Sequence, residues 1–480
     1  MLNIPWVGMR CAPSGVLGAI LLLATGCGLQ HYQAAPLDQQ QRVTANAVAQ
    51  LDDRQLGASL VRLDAATRWP LSSWAPAQLA LSAALRSAPV QEARAQLVTA
   101  LTGRGVAARR ASPTVSLAIE HHSDRDDNQN SDWSVGPSVA FSLSPQSRKR
   151  IAVALADSSV VVARADLLES AWQAHDAGLR AALEVLEQDQ VSALMTRAAD
   201  ARAAVVAAAR AQVAAGVDYA FEWQTLELEA NSARLTQLQQ TRVRQAATAQ
   251  LAAVLQVPTA ALAKLQLEPP AASSEPDYAE LQTRALSGHP QVLRALAAYD
   301  QAEFALALAV AAQYPEVRLN PGYFFDQGDN VWSLVGGVVV PLFASHDATI
   351  KQAGAVRDAA REHFYAVQSA TIAELQRAWA EWQAARDSEA ATRAVAHDID
   401  NSAEALRRGE HEGIVDKLIV ARATLQQADV AIQVARSAAL TRRSHAALAM
   451  EARTPIDDAP FGVYLAELYG YDPEQTERRP

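Results

Sequence analysis

The sequence predicts a mostly α-helical protein with a small β part, in which one unit of helix, strand, strand, long helix and returning helix is written twice. Three observations predict it. Two long stretches, Gln146 to Val257 and Leu342 to Thr454, contain no proline and are filled with Ala, Leu, Gln, Glu and Arg, the strong helix formers. Ahead of each stretch lie short segments that alternate apolar and polar residues, the period of a strand with one apolar face. Landmarks of the first half return in the second at a spacing of about 200 residues, too long for a common solenoid unit and most simply a duplication.

Near the start of the chain Arg10 precedes an apolar run from Val16 to Leu23, followed by Leu23-Ala24-Thr25-Gly26-Cys27. A charged start, an apolar core too short to span a membrane as a helix, and small residues before a cysteine are the marks of an export signal. The segment resembles a bacterial lipoprotein signal, residues 1–26, cleaved before Cys27, whose thiol then carries lipid such as palmitate; the alternative is an ordinary secretory peptide cut near Gly26. In both cases the mature chain leaves the cytoplasm. Cys11 goes with the signal, so neither a disulfide nor a cysteine metal cluster is expected.

Residues 27–75 read as a lipid tether with an amphipathic piece near Ala45 to Leu63, and Trp69 and Trp74 are expected to pack against the first helices. The first repeat, 76–258, opens with a helical pattern running to Arg110. Strands follow at about 114–120 and 133–143: Val115, Leu117 and Ile119 share one face, as do Trp133, Val135, Val139, Phe141 and Leu143. Between them His121 to Asp132 is a polar loop. Strands of about ten residues with small polar residues on one side fit a bilayer-spanning barrel, and they also fit half of a soluble sandwich.

The long helix, about 146–215, extends on the order of 100 Å at 1.5 Å per residue. Leu168, Trp172, Leu179, Leu183 and Leu186 fall three, four and seven apart along it, so it expects long helical neighbours. Gly216 ends it, and a return helix occupies about 219–255. After a proline-containing linker, 259–276, the second repeat spans 277–455, with strands at about 316–325 and 331–342 and helices at about 348–407 and 414–450. Residues 456–480 form a C-terminal tail carrying Phe461, Tyr464, Tyr469 and Tyr471.

Composition excludes several function classes. A formal net charge of −10 over 480 residues argues against nucleic acid as a partner. No second apolar run approaches the length of a membrane helix, so any membrane crossing is made by strands. His411-Glu412 lacks the second histidine of a helical zinc-protease motif, and neither a Gly-Lys-Ser phosphate loop nor a Gly-x-Ser-x-Gly elbow is present. Neither catalysis nor a cofactor is expected. His121 and His122 beside Asp124, Asp126 and Asp127 have metal-ligand chemistry, but an exposed loop explains them as well, and no metal site is assigned. His175 lies near the apolar seam, where a packed histidine is expected.

Geometry adds a constraint. Each repeat's two shorter helices together match its long one, so two can stack end to end beside it and make a curved wall. Four strands cannot close a barrel, and open edges are not tolerated in lipid. Closure has to come from other copies.

The order of elements, the duplication, Pro341-Leu342-Phe343 at the end of the fourth strand, the strand openings at Pro113 and Pro315, and the turns Ala215-Gly216-Val217 and Arg407-Arg408-Gly409 resemble the TolC-like outer-membrane efflux proteins over about residues 76 to 455. The resemblance implies a homotrimer whose three chains supply a 12-stranded transmembrane β-barrel and an α-helical periplasmic barrel. It implies the cell outer membrane as the location, with a lipid anchor and a body extending into the periplasm. The implied partners are outer-membrane lipid, a periplasmic adaptor (membrane fusion) protein and an inner-membrane pump, in a tripartite efflux or type I secretion system. The adaptor would dock at helix tips near Gly216, Arg408 and Gly409. Acidic residues near the second turn constrict the aperture in such proteins, which makes Glu222 and Asp416 candidates here, with Asp218, Glu410 and Glu412 as rivals; all are equally readable as solvated turn residues. Where the family has a glycine-containing turn after Pro-Leu-Phe, this chain has Ala344-Ser345-His346-Asp347. A periplasmic coiled-coil adaptor or scaffold is the alternative reading.

Overall fold

A computed structural model describes residues 32–109, 112–121, 133–143, 146–216, 220–270, 274–326, 329–339 and 346–471. Residues 1–26, where an export signal is expected, Cys27 and Asp218 lie outside them. The chain divides into two units, Met1–Ala47 and Val48–Pro480. In the first, α1 (Gln41–Val48) is an exposed helix reaching one residue past the boundary.

The second unit holds the remaining elements. They are α2 (Arg54–Leu63), α3 (Pro76–Arg86), α4 (Ala88–Ala108), β1 (Thr114–His121), β2 (Trp133–Leu143), α5 (Gln146–Ala214) and α6 (Ala220–Val254). The same order then returns as α7 (Tyr278–Gly288), α8 (Pro290–Ala311), β3 (Glu316–Asp326), β4 (Asp329–Val339), α9 (His346–His411) and α10 (Lys417–Ala452), followed by α11 (Ala459–Tyr469). Counterparts match closely in length: α5 and α9 have 69 and 66 residues, α6 and α10 have 35 and 36.

The helices form a row. Near the turns the order is α6, α5, α10, α9; toward the strands it is α4, α5, α8, α9. The α5 rod is therefore central, and α9 stands at an edge along its length. The core at the strand-proximal half is built around Leu79, Leu97, Leu167, Leu251, Leu255 and Phe461, all fully buried.

Several expectations are corrected. The helix expected from Pro76 to Arg110 breaks at Ser87, whose φ of −57° and ψ of 122° leave the helix and whose hydroxyl accepts from the Val90 N–H. Pro89 requires this, since inside a continuous helix it would remove a hydrogen bond and clash with the preceding turn. The tether expected through residue 75 is shorter, because Leu51, Leu56, Leu60, Leu63 and Trp74 are all part of the core. Trp69 and Trp74 pack edge to face at 6.0 Å, and Trp74 pairs through its backbone with Gln266 and Glu268 of the segment between the repeats. That segment is thus pinned rather than free.

The tail folds back as α11. Phe461 stacks on His175 at 3.7 Å and meets Trp172 edge-on at 4.9 Å. The buried His175 Nε2 lies 2.9 Å from the Asp458 carboxylate, which also caps α11 at the Phe461 N–H. His175 is a packed histidine, as its position on the seam implied.

A second histidine gives the fold a pH dependence. His289 caps α8 by accepting from the Gln291 N–H at 3.1 Å and is 2% exposed. Burial, helped by the nearby Arg453 cation and opposed by Glu169, pushes its pKa down from 6.5 to about 4. A histidine held neutral in the folded state contributes its stability in full above pH 6.5 and loses it as pH falls toward 4, because the unfolded chain takes the proton first. Between pH 7 and pH 5 the loss is about 2 kcal/mol. His289→Asn keeps a capping acceptor without the titration, so its melting temperature should fall less than the parent's across that interval.

Candidate functional site

Two regions combine a feature of the sequence with an incomplete structure: the sheet and the helix turns at the opposite end.

The sheet has the order β1-β2-β3-β4, antiparallel throughout. The β2–β3 pairing joins the two repeats, with Phe141 opposite Leu319 and Leu143 opposite Val317. Register collects the alternating residues onto one face: Val115, Leu117 and Ile119 from β1, Val135 and Phe141 from β2, Val317 and Phe325 from β3, and Trp332, Leu334 and Val338 from β4. Every one of these is exposed, Trp332 and Leu334 to 81% and 72%. Tyr323 and Trp332 lie 4.9 Å apart and His121 and Trp133 4.5 Å apart, so the loop end of this face carries aromatic rings. The other face is small and polar on β1 and β2, while on β4 it also carries the exposed Val331 and Val335. The Ser116 and Ser138 hydroxyls are 2.8 Å apart, and Ser134 donates to Asp326. Among the described residues β1 and β4 each pair on one side only, so both edges are open.

At the other end the chain turns twice. Gly216 and Gly413 have φ of +72° and +74°, the left-handed region that a Cβ disfavours, and each is followed four residues later by the first residue of a return helix, Ala220 and Lys417. Gly413, not Gly409, is therefore the counterpart of Gly216. Gly409 lies within α9, where an added Cβ would come 2.7 Å from the Val415 side chain. The correction moves the acids too. Asp416 is the N-cap of α10, accepting from the Leu418 N–H at 2.6 Å, and stands three residues after its glycine. Glu222 stands six after its own, within α6, so the two are not equivalent positions. Arg408 is exposed on α9 and paired with Glu404 at 3.8 Å.

Side chains that the sequence did not single out tie the two turns together. Gln212 near the end of α5 donates to Asp416 at 2.8 Å, and Arg202 makes two bonds to Asp429 at 2.8 and 2.9 Å. Arg210 pairs with Glu227 at 2.7 Å and covers the Trp223 ring at 4.6 Å. Beneath them Val205, Ala209 and Leu418 form a small apolar cluster.

The helical row is as open as the sheet. Phe221, Leu228 and Leu235 on α6 fall seven residues apart and are exposed to 75%, 71% and 64%. A heptad seam of this kind is buried only by another helix. Within the chain α6 lies beside α5 alone among the long helices.

Among the described residues no helix is long and apolar enough to cross a membrane, and no three His, Cys, Asp or Glu side chains gather as a metal site. His122, Asp124, Asp126 and Asp127 lie outside the described residues.

No family model and no curated protein matches the chain. Solved structures do. The outer membrane protein VceC of Vibrio cholerae aligns with a TM-score of 0.63 at 17% identity, over 78% of this chain and 95% of that one. The CmeC outer membrane channel of Campylobacter jejuni aligns with a TM-score of 0.63 at 12% identity, over 94% of this chain and the whole (100%) of CmeC. The open state of the MtrE outer membrane channel of Neisseria gonorrhoeae aligns with a TM-score of 0.59 at 17% identity, over 78% and 88%. A four-stranded sheet carried on a duplicated row of long helices is thus the architecture of known outer-membrane channels, and this chain has their TolC-like fold.

Proposed function

We propose that three copies of this chain close into a passive exit duct of the outer membrane. Twelve strands form the bilayer-spanning barrel, and the helical rows join into a tunnel through the periplasm. One observation carries the reading: the sheet presents a continuous exposed apolar face and ends in two open edges. An open edge is not tolerated in lipid, and exposed apolar strands are not tolerated in water, whereas a closed multi-chain barrel satisfies both demands. The α6 seam supports the same closure, since it needs a helix that its own chain does not provide.

On this reading Cys27 carries the lipid anchor, and the turns at Gly216 and Gly413 meet a periplasmic adaptor fed by an inner-membrane pump, which selects the cargo. The chain performs no catalysis and needs no cofactor. The adaptor-or-scaffold alternative leaves the apolar sheet face without an environment.

Planar-bilayer recording tests the proposal. Purified protein is expected to give small discrete conductance steps, and Asp416→Ala with Glu222→Ala to enlarge them severalfold by releasing the tip contacts that Asp416 makes. Unchanged steps would remove both acids from the aperture. Unaltered protein that never conducts would contradict the duct.

A further inference from the structure

Resting on the duct reading, we infer that a basic collar just below the sheet binds anionic phospholipid headgroups of the membrane leaflet that faces the periplasm. Although the chain is acidic overall, the helix ends that adjoin the sheet are not. Arg109 follows the last residue of α4, and Lys149 and Arg150 stand in the first turn and a half of α5; all three are exposed. Among the described residues none of the three has an ion-pair partner, whereas the neighbouring Arg104 is spent on Asp157 and Lys351 on Asp347. Glu316 opens β3 at the same end of the sheet.

The level itself is fixed by the Arg148 side chain. Arg148 donates to the carbonyls of Ala311 at 2.9 Å and Tyr314 at 3.0 Å, which holds the start of α5 against the end of α8 immediately before β3 begins. Tyr314 is 63% exposed there. A tyrosine beside Lys and Arg at the end of an apolar strand band is the signature of a membrane interface. From the end of β2 at Leu143, Arg150 lies on the order of 10 Å away, the depth of a headgroup layer.

The collar also faces the right way. Arg150 precedes His175 by about seven helical turns, which puts both on one stripe of α5. His175 is where α11 docks, and since a helix packed on the inner side would obstruct the passage, we take this stripe as the outer surface of the wall. Because α5 sits between α4 and α8 of its own chain, Lys149 and Arg150 are not at an edge that another copy covers, whereas Arg109 caps α4, the outermost helix of the row at this level.

The test is native mass spectrometry of the full protein released from nanodiscs of equal phosphatidylglycerol and phosphatidylcholine, compared with Lys149→Gln/Arg150→Gln. The unaltered protein should retain phosphatidylglycerol over phosphatidylcholine, and each neutralised cation should cut that preference about fivefold. Equal retention by both proteins would overturn the collar while leaving the duct. Failure of the unaltered protein to enter nanodiscs of either lipid would overturn the duct and the collar with it. Isolated peptidoglycan, the other polyanion of that compartment, serves as a second arm; binding there that the double variant loses, without any lipid preference, would reassign the collar and overturn this inference.

Discussion

Leu334→Arg is expected to abolish outer-membrane assembly while leaving the helical body folded. Leu334 sits in the middle of β4, opposite Pro321, on the apolar face and 72% exposed within one chain. An arginine at the bilayer midplane of a barrel costs about 2–4 kcal/mol. A trimer carries the substitution three times, so the penalty is about 6–12 kcal/mol, comparable with the whole stability of an ordinary domain. The neighbouring Ser333 lies on the opposite face, and Ser333→Arg should assemble, since a water-filled passage accepts the charge. The heat-modifiable oligomer band of the outer-membrane fraction reads both. Equal bands from the two variants would mean that the apolar face does not meet lipid.

Arg453→Ala is expected to destabilise the body by about 3–5 kcal/mol, the cost of leaving a buried charge unpaired. Arg453 ends α10 in the left-handed region, with φ of 46°, and its side chain is 5% exposed. Its Nη2 donates to both Glu169 oxygens, at 2.8 and 3.0 Å, and Nε to one of them at 3.2 Å. The pair clamps the end of the second repeat onto the α5 rod of the first. Replacing both partners, as Arg453→Met/Glu169→Met, should recover most of the loss, because an apolar pair of similar volume leaves no uncompensated charge. Denaturant unfolding of the three proteins separates the two outcomes; a double variant no better than Arg453→Ala would mean that the site depends on charge rather than on pairing.

The architecture was legible because its largest features have local causes. Absence of proline sets the length of α5 and α9, and alternation sets the faces of all four strands, so Val115, Leu117, Trp332 and Leu334 share a surface in the structure as they do in the pattern. The break at Ser87 had a signal in Pro89, outweighed by the good helix formers on either side. Gly409 and Gly413 are four residues apart, just over one helical turn, and only the left-handed backbone at Gly413 decides between them. The contacts that bind the repeats together left no local trace. Arg202 with Asp429, Gln212 with Asp416 and Arg453 with Glu169 join residues 227, 204 and 284 apart in sequence, and each reads on its own as a solvated helix residue. The fold of the tail was equally hidden, because the docking of Phe461 depends on a surface made by α5.

Disulfide trapping across the open edges tests the central claim most directly. Cysteines placed singly along the face opposite the apolar one, on β1 at Thr114, Ser116 and Ala118 and on β4 at Ser333, Val335 and Gly337, are combined in pairs within one chain and oxidised in intact cells. Closure by three copies predicts that some register yields covalent dimers and trimers on non-reducing gels. Pairs that link only within a single chain, or a water-soluble monomer that never links to another copy, would contradict it.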